Sequence, residues 1–367
     1  MKKLQMLVSV ILVGIAVALV YFGFEYAVHH SITYIWDEVF NTSTKRALVI
    51  PLCVVLSVIF FGAQHLLDKR SENHEAHGLG GGEIDASLKN LGIILLIGYF
   101  SLIAGASLGP EAVLVPACMV VGAYMATKLL KGQKEAVKGL AAAGIIALFA
   151  AFFHSFIIGF LAVFLVTKQA KVKLSPQLAI VAVLASAAST LTLKVIDPAT
   201  TYFNWPDYDW KVRLADVGIA LVLAAVGYIT TFALKGSHDI FAAIRSHEKF
   251  TAWWLQALLA SLGLSLLYLI GGTLVQFTGN ESIEPMLSQA ATLGVAGLLW
   301  IFFVKILAIG WSKAMGYRGG MVFPIIFAAS VLVAIAFQFY PETNFMVALI
   351  GTMVGILAAE RRAKILF

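Results

Sequence analysis

Uncharged apolar segments constrain the fold of this chain more than any other feature. Only 13% of the residues are Asp, Glu, Lys or Arg, about half the share found in soluble domains. A helix of about 20 apolar residues crosses a bilayer, and most of the uncharged segments approach or exceed that length. The sequence therefore predicts an all-α polytopic membrane protein, with residues 1–367 in one transmembrane domain. The segments run over residues 4–24, 47–67, 90–110, 112–127, 139–167, 174–193, 217–234, 250–280, 285–304, 319–341 and 343–359.

The charges between these segments indicate membrane topology rather than a nucleic-acid partner. The formal net charge is +6, but the basic residues lie in short loops instead of forming one stripe. Lys2 and Lys3 precede the first apolar segment, which has no clear small-residue cleavage site before Glu25. Because cytoplasmic loops are enriched in Lys and Arg, we expect an uncleaved first helix, a cytoplasmic N-terminus and a multi-pass location in the cell membrane. Cys53 and Cys118 lie inside apolar segments and are expected to be packing residues.

Two halves of the chain resemble each other weakly, as in many transporters built from internal repeats. Residues 113–117 can be laid over residues 321–325, and residues 78–88 over residues 279–287. These matches occur in the same order at similar offsets. They predict a first half over residues 45–195 and a second over residues 212–360.

Glu111 is the strongest local anomaly, because it is the only charged residue between Asn90 and Thr127. A carboxylate at bilayer depth costs roughly 2.5 to 3.5 kcal/mol on insertion scales, which makes it a functional candidate. Gly109 and Pro110 should interrupt the helix and leave Glu111 in the first turn of the next one. There, free N–H groups and the helix dipole favour an anion. The carboxylate could thus occupy an anion site and leave it on protonation; alternatively, it only caps its own helix.

A second break falls at residues 316–324, where Gly319 and Gly320 let the backbone approach a ligand closely. The helix beginning here would direct another set of N–H groups toward the midplane. Two such helix N-termini facing one point form an anion site without a fixed cation, and a cationic substrate fits this arrangement poorly.

Two other chemistries explain less of the sequence. Ser107 completes a G-x-S-x-G pattern and His154 lies in another apolar segment, so an intramembrane serine hydrolase is a remote alternative. No predicted strand precedes the pattern, and short matches are common in Gly-rich helices. His74 and His77 could bind a metal, but a solvated loop explains them equally well. We therefore expect no enzyme activity, no metal site and no cofactor.

Four segments of the sequence resemble motifs of the CLC chloride channels and chloride/proton antiporters. Residues 109–112 are similar to G-[RK]-E-G-P, and residues 305–324 to K-x(10)-G-x-x-G-G-x-F-x-P. Residues 78–84 are similar to G-S-G-I-P-E-I, and residues 151–159 to A-A-F-N-A-P-L-A-G. All four occur in the family's order, and together they cover roughly residues 45–360.

The resemblance implies a CLC-like inverted-repeat bundle of tilted and broken helices in the lipid bilayer. It implies a homodimer with a separate anion pathway in each subunit and Glu111 as the gating glutamate. It also implies that the N–H groups of Met321 and Val322 help to bind chloride. The implied anion-binding set is Gly78, Leu79, Gly80, Gly109, Glu111, Gly319, Gly320, Met321 and Val322.

Three departures from the family pattern bear on mechanism. Leu79 stands where the family has a chloride-binding serine, and a leucine cannot donate a hydrogen bond. The internal proton acceptor of the antiporters falls near Leu165, where no titratable group is present. The chain ends at Phe367 with no tyrosine after Tyr340, whereas the family continues for two helices and supplies a tyrosine to the inner chloride. We expect that these helices are missing or that the site is completed differently.

These observations favour transport of chloride or a similar small anion, gated by a protonatable glutamate, with channel-like conduction preferred to chloride/proton antiport. A carrier for another anion and a family member that inserts without conducting are the alternatives. The expected partners are the small anion, protons in the case of exchange, the bilayer and a second copy of the chain.

Overall fold

A computed structural model of the chain describes residues 2–68, 84–131, 133–170, 173–198, 211–247 and 252–366. Within these ranges the chain is helical and contains no strand, which confirms the predicted all-α class. The helices are α1 (Lys2–Ile32), α2 (Val49–Asp68), α3 (Leu88–Ile103), α4 (Glu111–Leu129), α5 (Lys134–Phe152), α6 (Phe156–Ala170), α7 (Pro176–Ile196), α8 (Leu214–Arg245), α9 (Trp253–Gly271), α10 (Ile283–Ala314), α11 (Val322–Phe339) and α12 (Phe345–Ala363).

Most of these helices are long and apolar enough to cross a membrane. Nine candidate spans lie among the described residues, and α3 and α6 are shorter apolar helices. The helix interruption expected before Glu111 is confirmed, because α3 ends at Ile103 and α4 begins at Glu111. The chain is therefore a multi-pass membrane protein.

Two of the apolar segments do not coincide with one helix each. The segment over residues 139–167 is two helices, because the chain turns at His154, which has a φ of +46°, and the Ser155 amide donates to the Ala150 carbonyl oxygen over 3.1 Å. The segment that stops before Lys305 belongs to a longer helix, since α10 continues to Ala314. Lys305 does not end the helix because its ammonium finds acceptors inside the protein.

The contacts divide the chain into two compact units. The first contains Met1–Ser31, Leu66–Tyr99 and Ala112–Tyr202. In it α4 and α5 approach so closely that a methyl group on Gly144 would lie 2.9 Å from the carbonyl carbon of Cys118. Small residues commonly permit such contacts between membrane helices. Cys118 is a free, fully buried thiol, which confirms its packing role.

The second unit contains Ile32–His65, Phe100–Glu111 and Phe203–Phe367. In it α8 and α12 meet through glycines, and a methyl group on Gly351 would lie 2.5 Å from the Ala220 carbonyl oxygen. Cys53 is free and fully buried in this unit. Both helix breaks that were predicted to carry function, before Glu111 and before α11, lie in this second unit.

Candidate functional site

The two predicted helix breaks lie side by side. The Gly109 amide donates to the Gly320 carbonyl oxygen, and the Gly320 amide donates back to the Gly109 carbonyl oxygen, each over 2.8 Å. This pair is an isolated antiparallel bridge between segments that are far apart in sequence. It fixes the start of α4 against the start of α11.

Glycine is required for this close approach. A methyl group on Gly109 would lie 2.9 Å from Phe323 Cβ, and one on Gly319 would lie 2.5 Å from Leu108 Cβ. A methyl group on Gly320 would overlap the carboxyl group of Glu111. The adjacent glycines therefore make room for Glu111 as well as for the backbone bridge.

The Glu111 carboxylate lies on the N-terminus of α11. Its Oε1 atom accepts from the Val322 amide over 2.8 Å and from the Phe323 amide over 3.3 Å. The first N–H groups of a helix have no partner within the helix and carry the positive end of its dipole. Because these donors belong to α11 and Glu111 to α4, the carboxylate does more than cap the helix that carries it.

The second carboxylate oxygen of Glu111 has a different environment. Oε2 is buried and has no hydrogen-bond partner. A buried carboxylate oxygen without a donor is costly for the ionised group. The site thus holds a carboxylate through one oxygen only, which makes departure of the side chain easier than a fully satisfied geometry would.

The structure brings together most of the residues named from the sequence. Gly109, Glu111, Gly319, Gly320 and Val322 meet at the two breaks. Met321 is the residue before α11, and its carbonyl accepts from the Ile325 amide over 3.1 Å.

Phe323, which sequence reasoning missed, supplies the second donor to Glu111. The sequence signal that could have identified Phe323 was the start of the helix itself. Because α11 begins at Val322, several consecutive N–H groups there have no partner within the helix. Gly78, Leu79 and Gly80, together with His74 and His77, lie outside the described residues.

A loop before α10 holds the backbone that leads to Glu111. The Tyr268 hydroxyl donates to the Gly105 carbonyl oxygen and accepts from the Phe277 amide. The Ser107 hydroxyl donates to the Phe277 carbonyl oxygen over 3.1 Å, and the Thr278 hydroxyl donates to the Leu108 carbonyl oxygen over 2.8 Å. Side chains thereby satisfy backbone groups that the helix break would leave unpaired.

Lys305 holds this loop in place through hydrogen bonds to its backbone. Its ammonium donates to the Val275 and Phe277 carbonyl oxygens over 3.1 and 2.6 Å, and it lies 5.2 Å from the centre of the Phe327 ring. The side chain is completely buried. From the sequence, Lys305 was identified only as the first residue of a family motif. Its position as a lone cation at the end of an apolar segment was the signal that it has a buried role.

Ser107 is used structurally. Besides its hydroxyl bond to Phe277, its amide donates to the Ser312 hydroxyl over 3.0 Å. His154 lies in the turn between α5 and α6. These contacts give Ser107 a bracing role and provide no support for a nucleophile.

Tyr317, in the second break, anchors the start of α11 to α2. Its hydroxyl is 2.5 Å from the Ser57 hydroxyl, and its ring stacks on Phe60 at 5.5 Å. Burial holds the pKa of Tyr317 well above its usual value, because a phenolate there would lose its hydration. The group is therefore a neutral anchor at working pH.

Fold and site together define a polytopic membrane protein with a carboxylate on the N-terminus of a broken helix. The sequence model of the voltage gated chloride channel family matches residues 73–366. The chain belongs to this family, whose members are not enzymes, and the hydrolase alternative is dropped.

Comparisons with individual proteins agree with that assignment. Ion-transport protein YfeO of Salmonella typhimurium, whose function is assigned provisionally, is 26% identical over 157 residues, which are 41% of this chain and 35% of the relative. The homologue of Salmonella newport matches equally. The chain thus spans about a third of the length of these curated relatives.

Solved structures match over nearly the whole chain. A slow cyanobacterial Cl⁻/H⁺ antiporter has a TM-score of 0.74 at 19% identity, covering 97% of this chain and 94% of the antiporter. A CLC-type fluoride/proton antiporter has a TM-score of 0.69 at 16% identity, covering 97% and 86%. A eukaryotic CLC transporter has a TM-score of 0.68 at 14% identity, covering 98% and 72%. The CLC-like fold is therefore established.

Proposed function

We propose that this protein carries chloride or a similar small anion across the cell membrane, with Glu111 as a protonatable gate. The observation that supports the proposal most is the Glu111 carboxylate on the Val322 and Phe323 amides. Those amides are the kind of donors that bind anions at helix N-termini. A side-chain carboxylate in that position acts as a tethered anion.

The mechanism is competition between two anions for the same N–H groups. Ionised Glu111 occupies the donors and excludes a free anion. Protonation removes the charge, so the carboxyl group binds the helix N-terminus less strongly and the free anion replaces it. Low pH on the side from which the proton arrives therefore opens the site, and high pH closes it.

Channel-like conduction is our preferred form of this transport. A coupled exchanger needs a second proton carrier, and α6 presents Phe164, Leu165 and Val166 where the family's antiporters have an acceptor. Chloride/proton exchange is the second candidate, because two of the structural neighbours are described as Cl⁻/H⁺ and fluoride/proton antiporters. Fluoride or another small anion in place of chloride is a further form of the same proposal.

The assembly belongs to the proposal too. We propose a homodimer in the bilayer with the N-terminus in the cytoplasm. The N-terminal Lys2 and Lys3 support that orientation.

Flux measurements on purified protein in liposomes test the proposed function. Wild-type protein should release chloride faster at acidic pH, whereas Glu111→Gln should release it at a rate that no longer depends on pH. Glu281→Gln is a matched control, since it makes the same change in the turn before α10. If Glu111→Gln keeps the pH dependence of the wild type, Glu111 is not the gate.

The same vesicles separate conduction from exchange. A chloride gradient should drive no proton uptake if conduction is passive, and it should drive measurable uptake in an exchanger. Repeating the flux assay with fluoride and nitrate identifies the preferred anion. Failure to move any of the three would contradict transport altogether.

A further inference from the structure

Two buried serines connect the helix breaks in a reciprocal pattern. Ser101 lies in the last turn of α3, before the first break, and its hydroxyl accepts from the Arg318 amide in the second break over 2.8 Å. Ser312 lies in the last turn of α10, before the second break, and its hydroxyl accepts from the Ser107 amide in the first break over 3.0 Å. Each serine therefore precedes one break and binds the backbone of the other.

The two breaks correspond to each other residue by residue. Ser101 and Ser312 are 211 positions apart, and so are the two amides that they bind and the two glycines of the backbone bridge. The same separation of 211 relates Glu111 to Val322, which are the first residues of α4 and α11. Reciprocal contacts between equivalent positions are the pattern of an approximate twofold axis.

The backbone of the two breaks agrees with this relation. Gly105 has a φ of +98°, and Gly316, its equivalent 211 positions later, has a φ of +93°. Both values lie in the left-handed region, which glycine adopts without a steric penalty. The chain thus makes the same turn twice, and each serine hydroxyl meets the same amide of the opposite turn.

The two serines differ from buried serines that bond only within their own helix. Ser330 in α11 is also completely buried, and its hydroxyl donates to the Ile326 carbonyl oxygen over 3.0 Å. Ser101 and Ser312 are completely buried as well, but their hydroxyls accept from amides 217 and 205 residues away. A buried amide in a helix break that lost its acceptor would be costly. These two hydroxyls therefore hold distant parts of the chain together.

The crossed bonds lie close to the residues that form the proposed gate. Ser107 precedes Glu111 by four residues, and Arg318 precedes Val322 by four. The backbone bridge between the breaks is a single contact, about which two segments could pivot. The serine bonds are related to each other by the same twofold axis as the bridge, so together the three contacts remove this freedom. The 2.8 Å bond from the Val322 amide to Glu111 depends on the resulting register.

We propose that Ser101 and Ser312 are positioning residues that keep Glu111 on the α11 N-terminus by fixing the register of the two helix breaks. The inference rests on the proposed function and names what maintains the closed state of the gate. Loss of either hydroxyl lets the α11 donors move away from the carboxylate. The free anion then displaces Glu111 more easily, so closure requires a higher pH than in the wild type.

Chloride flux from liposomes as a function of pH tests this role. Ser101→Ala and Ser312→Ala should each raise the pH of half-maximal flux by about one unit, which corresponds to a tenfold weaker hold on Glu111. Because the two positions are equivalent, the shifts should have the same sign and a similar size. Ser101→Cys and Ser312→Cys nearly keep the volume but offer a weaker acceptor, so they should fold and give smaller shifts in the same direction.

Ser330→Ala is the matched control. It removes a buried serine hydroxyl from α11, but the bond that is lost lies within that helix. The pH of half-maximal flux should therefore equal that of the wild type. A role confined to stability would lower the unfolding midpoint of the Ser101 and Ser312 variants in detergent and leave their pH dependence unchanged.

The outcomes separate this inference from the proposed gate. An unchanged pH of half-maximal flux in the Ala and Cys variants, or a change confined to maximum rate or stability, would overturn the positioning role. The Glu111→Gln result decides the gate independently of the serines. In a Glu111→Gln background, Ser312→Ala should no longer affect the pH profile. Absence of chloride flux in the wild type would overturn both the gate and the positioning role.

Discussion

Substituting Gly320 with alanine should open the proposed gate without touching Glu111 itself. The added methyl group would overlap the Glu111 carboxyl group. Gly320 does not have the positive φ that would exclude alanine, so the backbone can keep its conformation. The side chain of Glu111 must then leave the α11 N-terminus.

The size of the effect follows from the hydrogen bonds that would be lost. A hydrogen bond to a charged group contributes about 1.5 to 3 kcal/mol. The Val322 bond is 2.8 Å and the Phe323 bond is 3.3 Å, beyond the usual range. We therefore take a total of about 2 to 4 kcal/mol, which weakens occupancy by Glu111 about 30-fold to 700-fold.

Anion flux against pH is the assay for Gly320→Ala. At alkaline pH, where the wild type should be closed, the variant should conduct, and its pH dependence should be largely lost. Gly236→Ala is the matched control, because a methyl group at that position in α8 meets nothing within 4 Å. If Gly320→Ala closes with rising pH as the wild type does, the placement of Glu111 on α11 is not what closes the site.

Three substitutions test the structures that support the site, each read from the unfolding midpoint in detergent. Lys305→Met leaves two buried carbonyl oxygens without their donor, including that of Phe277, and should cost about 2 to 4 kcal/mol; an unchanged midpoint would show that the ammonium does not secure the loop. Tyr268→Phe removes a hydroxyl that joins two backbone groups and should cost about 1 to 3 kcal/mol, whereas equal stability would argue against the brace. Asp216→Ala removes the acceptor for the amides of Arg213 and Asn344, each at 2.8 Å, and should cost about 2 to 4 kcal/mol, while Asp216→Asn should lose less.

The local part of the site could be predicted from the sequence. Gly109 and Pro110 stop one helix, and the isolated carboxylate of Glu111 follows at the start of the next. Such signals act within a few residues, so the position of the break was predictable. The adjacent glycines Gly319 and Gly320 indicated the second break in the same local way.

The hydrogen-bond partners of Glu111 depend on long-range packing and were not predicted individually. Val322 is 211 residues from Glu111, and the family motif indicated the Met321 and Val322 amides only as donors to chloride, which stays a prediction. The register of a helix start against a distant side chain is set by the backbone bridge between Gly109 and Gly320. No local pattern encodes that register.

The supporting loop was missed for a similar reason. The Phe277 carbonyl oxygen accepts hydrogen bonds from both the Ser107 hydroxyl and the Lys305 ammonium. Nothing near Phe277 in the sequence distinguishes it from other apolar residues. Lys305 was taken as the end of an apolar segment because a charged residue normally marks a loop. Here, buried carbonyl oxygens accept hydrogen bonds from its ammonium group, so the helix continues. The division into halves at residues 45–195 and 212–360 stays a prediction.

Competition between Glu111 and the anion is tested most directly by measuring whether anion binding takes up a proton. Calorimetric titration of the purified protein with chloride, in two buffers of different ionisation enthalpy, gives the number of protons exchanged. The wild type should take up close to one proton per bound chloride at a pH where Glu111 is ionised, and its affinity should fall as pH rises. Glu111→Gln should bind chloride without proton uptake. Binding to the wild type with no proton uptake and no pH dependence would contradict the account.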